Sequence, residues 1–161
     1  MRGRIILAAG VATAMFAGPA GAQELVGRWF GRGECYSRVY DVGHLQLHPG
    51  QQVGRIWIGG RSGDARPSAR EVNFGFALNG RPGGYGGLAV CRDRQISLAC
   101  GVEGDGGGFR VSQAGGGDLQ LTVVDRLQVE GERGASPELG RDQDRVFRLR
   151  RAGAGACRVE R

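Results

Sequence analysis

The stretch GHLQLHPG, residues 43–50, holds both histidines of the chain, His44 and His48, four positions apart. Imidazole ligates metals and moves protons near neutral pH, so this pair is the first place to look for chemistry. Leu45 and Leu47 alternate with His44, Gln46 and His48, which predicts a strand carrying the three polar residues on one face. Gly43 and Pro49 bracket a segment too short for a helix that would make the rings neighbours. Along a strand, four residues span about 13 Å, whereas each zinc-bound imidazole nitrogen must lie about 2.0–2.1 Å from the ion. The expectation is two solvated or rim-facing histidines and no metal site.

Other residue types offer less. A hydrolase triad needs a nucleophile beside a histidine oriented by an acid. Ser37, Ser62, Ser68, Ser97, Ser112 and Ser136 stand in no Gly-x-Ser-x-Gly turn, which leaves only a convergent site as a hydrolase reading. The acid pairs Glu103 with Asp105 and Asp142 with Asp144 fall in Gly-rich or charged loops and read as solvated turn acids. EGDGGG lacks the repeated oxygen donors of a calcium cage. Cys35, Cys91, Cys100 and Cys157 show no Cys-x-x-Cys spacing, which argues against a thioredoxin-like site, a zinc knuckle and haem attachment. No cofactor is expected, and the chain reads as non-enzymatic.

The N-terminus supplies the context. Arg2 and Arg4, then Ile5 to Phe16, then Gly18-Pro19 before Ala20-Gly21-Ala22 follow the basic, apolar and small-residue order of a secretory signal peptide. Cleavage is expected after Ala22, leaving residues 23–161 as one exported domain, periplasmic or secreted from a bacterium. The apolar run falls short of the roughly 20 residues that span a bilayer. In an oxidising compartment four cysteines predict two disulfides.

The formal net charge is +6, and removal of the leader lowers it by two. Every basic residue is arginine, spread along the chain and interleaved with acids except for Arg145, Arg148, Arg150 and Arg151 near the C-terminus. A modest attraction to anionic surfaces follows. Contact with a membrane surface is compatible with this balance, insertion is not, and scattered acids argue against nucleic acid.

The elements that must position these residues are strands. EVNFGFAL (71–78) sets Val72, Phe74, Phe76 and Leu78 on one face. QISLAC aligns Ile96, Leu98 and Cys100, DLQLTV aligns Leu119, Leu121 and Val123, and VFRLR aligns Phe147 and Leu149. Further strand candidates are 26–30, 35–40, 44–47, 53–58, 86–91, 109–112 and 127–130. Gly-rich breaks such as NGRPGG and AGGGD supply tight turns, and residues 131–144 read as a loop with one helical turn at most. Short strands at regular spacing predict an all-β domain, an antiparallel up-and-down β-barrel of about eight strands, with a β-sandwich as the alternative.

GRWFG, residues 27–31, places Trp29 two residues after Gly27 at the expected start of the first strand. This resembles the Gly-x-Trp opening of lipocalin-like up-and-down barrels, and is similar to small periplasmic metalloprotease inhibitors built on such a barrel. The resemblance covers about ten residues and implies that Trp29 plugs one end of the barrel.

Cysteine pairing stays open at this level. Aligning Leu88 and Val90 with Leu98 and Ile96 gives a hairpin with the loop Arg92–Arg94, which sets Cys91 and Cys100 on opposite faces unless a bulge intervenes. Bridged Cα atoms must lie within about 7 Å. Cys35–Cys157 with Cys91–Cys100 is the leading pattern, since it ties the first strand to the tail, and the other two connectivities remain.

What remains is binding. On VGRIWI, period two places Trp57 with Val53 and Arg55, opposite Ile56 and Ile58, and Tyr36, Arg38 and Tyr40 repeat the aromatic and arginine combination on a neighbouring strand. These five residues, Trp57, Arg55, Tyr36, Arg38 and Tyr40, are the expected contacts for a small anionic or amphipathic ligand, in a barrel cavity or on an outer patch. The alternative is a protease-inhibitor-like or envelope-interaction module, in which the mature N-terminus from Gln23 enters the cleft of a periplasmic protein partner.

Overall fold

The computed structural model describes residues 24–31, 33–60, 70–131 and 133–158. The signal segment 1–22 with its cleavage site, and Ser62 and Ser68, lie outside the described residues.

A short helix α1 (Glu24–Phe30) precedes β1 (Cys35–Val39), and helix α2 (Val42–Leu47) connects β1 to β2 (Val53–Gly60). Then follow β3 (Glu71–Leu78), β4 (Tyr85–Arg94), β5 (Ser97–Val102), β6 (Gly107–Gln113) and β7 (Leu119–Leu127). A two-residue ribbon of β8 (Glu130–Gly131) and β9 (Gly134–Ala135) leads to β10 (Val146–Ala152) and a 3-10 turn at Ala154–Ala156. Eight strands close a barrel in the order β1-β2-β3-β4-β5-β6-β7-β10, each pair antiparallel, with β10 returning to β1. Closure leaves no long free edge in the sheet.

The interior follows the alternation in the sequence. Phe74, Phe76, Leu98, Phe109, Val111, Leu119, Leu121, Phe147 and Leu149 are essentially inaccessible and belong to one continuous cluster. Burying each such side chain contributes about 1.5–3 kcal/mol relative to exposure. The barrel centre is thus a packed core of side chains.

Five local expectations are corrected. Residues 26–30 form helix, not strand: Val26, Trp29 and Phe30 recur at i, i+3 and i+4 and bury one face of α1 against the barrel. Residues 44–47 are also helical. Residues 127–130 are strand only at their two ends, and residues 131–144 hold the β8–β9 ribbon in place of a helical turn. Finally, Ala89 and Cys91, not Leu88 and Val90, face inward from β4.

That last reversal resolves the disulfides. The β4–β5 hairpin turns at Gln95–Ile96, where Gln95 takes a left-handed φ of 57° and Ile96 is exposed. Cys91 therefore stands directly opposite Cys100, with Cα atoms 4.0 Å apart, and the two are bridged. Cys35 bridges Cys157 across 122 residues, holding the C-terminal tail against the outer face of β1 and β2.

Candidate functional site

Trp29 and Phe30 place α1 against the end of the barrel where β1 begins, with the rings edge to face at 6.5 Å. The site lies at the opposite end. There β1 keeps its pairing with β2 through Val39 but pairs with β10 only from Cys35 to Ser37, while Val146–Leu149 of β10 pair with β7. The seam between first and last strand thus splits beyond Ser37, and α2 stands at its mouth.

Helix α2 forms because Asp41 caps it: its carboxylate accepts a hydrogen bond from the His44 N–H at 2.8 Å. A side-chain acceptor at this position stabilises a helix start by about 1 kcal/mol, enough to override the leucine alternation in so short a segment. Gly43 lies within the helix and Pro49 just beyond it. On a helix, i and i+4 are neighbours, and the His44 and His48 rings stack at 4.3 Å. Tyr40 stacks on His44 at 4.7 Å, and the Arg38 guanidinium sits 5.3 Å from the Tyr40 ring centre. The expected strand with its histidines 13 Å apart is replaced by a continuous column of three rings capped by a cation.

A hydrogen-bond relay fixes the column. The Gln51 side-chain amide donates to the Val53 carbonyl at 2.8 Å, so its oxygen faces His44 Nε2 at 3.0 Å. His44 Nε2 therefore carries the hydrogen. Asp144 anchors the other side of the mouth: its carboxylate, buried from solvent, accepts from the N–H groups of Gln52 and Val53 at 2.8 and 3.1 Å. Burial pushes the Asp144 carboxyl above its ordinary value, against the pull of those two hydrogen bonds. Burial likewise raises the Tyr40 phenol, Arg38 opposing and Asp144 reinforcing the shift.

These elements enclose an open cleft of about 610 Å³. One wall is Arg38, Tyr40, His44 and His48. The other is Gln143, Arg145 and the outward face of β10, where Val146, Arg148 and Arg150 follow one another. Arg148 is fixed by Asp118 at 2.9 Å, while Arg38, Arg145 and Arg150 form no ion pair among the described residues. Among the described residues that line the cleft, Asp142 is the one carboxylate and none is serine, threonine or cysteine. Among the described residues no group of three or more His, Cys, Asp or Glu side chains could hold a metal.

The five expected contact residues separate. Arg38 and Tyr40 line the cleft. Tyr36 shares their strand face but lies in the core, edge to face with Phe30 at 5.9 Å. Arg55 and Trp57 share one face of β2, as expected, and it is the outer face. Val53 does not join them, because the register shifts between Val53 and Arg55 and turns it inward. Arg55 donates to the Ala156 carbonyl at 2.7 Å, and Trp57 is buried on the outer wall with its ring against Gly75. His48, Gln51 and Gln143 join the site from outside that set; the Arg145–Arg150 cluster was visible in sequence, but not what it faces.

A second open groove, about 720 Å³, crosses the outer wall of β4–β7 past Val90, Val102 and Val124. Its arginines 92, 94 and 110 are interleaved with Glu71 and Glu103, and it has no comparable ring column. A scan against protein-family models, a search of curated proteins and a search of solved structures each find no match for the chain.

Proposed function

We propose that this chain is an exported, non-enzymatic β-barrel that binds an anionic or amphipathic ligand in the mouth cleft between β1 and β10. The observation that carries the reading is the convergence of Arg38, Arg145 and Arg150, none with an acidic partner among the described residues, on a wall of stacked Tyr40, His44 and His48. Guanidinium forks match carboxylate and phosphate geometry. Side chains fill the barrel centre, which favours the mouth over an interior cavity for such a ligand. Two disulfides, and the absence of any helix among the described residues long and apolar enough to cross a membrane, support a periplasmic or secreted location. Burial of Val26 within α1 weighs against insertion of residues 23–26 into a protease, the basis of the inhibitor alternative.

The test is calorimetric titration of the mature chain with phosphate, citrate and an aromatic carboxylate at low ionic strength. Saturable binding that weakens with salt, and roughly tenfold with Arg38→Ala, is the expected result. Absence of saturable binding by every probe, or affinity indifferent to Arg38→Ala, would overturn it.

A further inference from the structure

We infer that the ligand of the mouth cleft is a linear chain of sugar units each carrying a carboxylate, an acidic polysaccharide segment lying along β10; this rests on the anion-binding reading above. Arg148 is held by Asp118, so the cations that this wall leaves for a ligand are Arg145 and Arg150, five residues and about 16 Å apart along extended backbone. A single small anion does not bridge that span, whereas an extended chain does. Arg38 faces them from β1. A compact anion is saturated by one or two guanidinium forks, whereas cations spaced along an extended strand suit charges that repeat.

The opposite wall selects among polyanions. Within the column the rings cover one another and Arg38 covers Tyr40, so a nucleobase has no slot between them. What the column offers is polar edges: the Tyr40 hydroxyl, the free nitrogen of His44 and the ring nitrogens of His48, with the Gln143 amide across the cleft. Such edges match the hydroxyl groups of a sugar. A polyphosphate would satisfy the arginines and leave this wall unused.

The experiment is calorimetry of the mature chain at fixed ionic strength with galacturonate, its oligomers of increasing length, and polyphosphate of matched charge. Affinity should rise at least about tenfold from monomer to tetramer, as neighbouring contacts become intramolecular, and polyphosphate should bind about tenfold more weakly than the tetramer. Arg150→Ser, a change at an exposed position, should cost the tetramer at least about threefold more affinity than it costs the monomer. Equal affinity for monomer and oligomer would overturn the chain ligand and leave anion binding standing. Polyphosphate binding as tightly as the tetramer would overturn the sugar assignment. No saturable binding by any of these probes would remove both this inference and the reading beneath it.

Discussion

The imidazoles of His44 and His48 stack 4.3 Å apart because a single carboxylate, Asp41, starts the helix that brings them together. Asp41→Ala removes that cap and should cost about 1 kcal/mol, confined to α2. The two histidine ring signals in proton NMR should move toward solvated positions while the global melting temperature changes little. Unmoved ring signals would show that packing at the mouth, not the cap, holds the column.

Trp57 depends on the absence of a side chain at Gly75. A Cβ there would stand 2.6 Å from the Trp57 ring and 2.7 Å from the Tyr85 carbonyl oxygen, so Gly75→Ala should destabilise the barrel by about 1–3 kcal/mol. Tryptophan fluorescence should report a displaced Trp57, and chemical denaturation should measure the loss. Anion affinity should persist, since Trp57 lies outside the cleft.

The two disulfides should contribute unequally. Cys35–Cys157 closes 122 residues and Cys91–Cys100 closes 9, so chain entropy assigns them about 4.9 and 2.6 kcal/mol respectively. Paired alanine substitutions compared by denaturant unfolding should reproduce that order. A greater loss from the 91/100 pair would assign its role to core packing.

Asp144 should shape the pH dependence of stability in the direction opposite to a salt-bridged acid. Its carboxyl is raised in the folded chain, so the proton is held more tightly there than after unfolding. The resulting stabilisation is fully present below the unfolded value of about 3.8 and is lost as pH rises through the higher folded value. Asp144→Asn abolishes this titration and weakens the bonds from Gln52 or Val53 N–H, at a cost of about 1–3 kcal/mol near neutrality. The stability gap between wild type and variant should widen as pH falls toward 3.8; a gap that narrows over that interval would contradict the assignment.

The barrel was legible because most of its strands bury one face: Val72, Phe74, Phe76 and Leu78 alternate with polar or small residues, and register follows. Strand β4 was misread because both of its faces are apolar. The larger Leu88 and Val90 resemble core, yet the smaller Ala89 and Cys91 fill it, and the inversion moved Cys91 opposite Cys100. Helix α2 was hidden by leucine alternation that is not a burial pattern at all, since Leu47 is 80% exposed. In α1 the recurrence of Val26, Trp29 and Phe30 was a readable helical signal. The site itself depends on which strands meet at the seam, so Arg38 and Arg150, more than a hundred residues apart, could not be joined from sequence.

The central claim, that the mouth cleft binds anions, is tested most directly by mapping amide shifts of isotopically labelled residues 23–161 in two-dimensional NMR during titration with a galacturonate oligomer. Saturating shifts concentrated at Arg38–Gln51 and Asp142–Arg150 are the predicted result. Shifts centred instead on the outer wall around Val90, Arg92 and Val124, or no saturating shift anywhere, would contradict it.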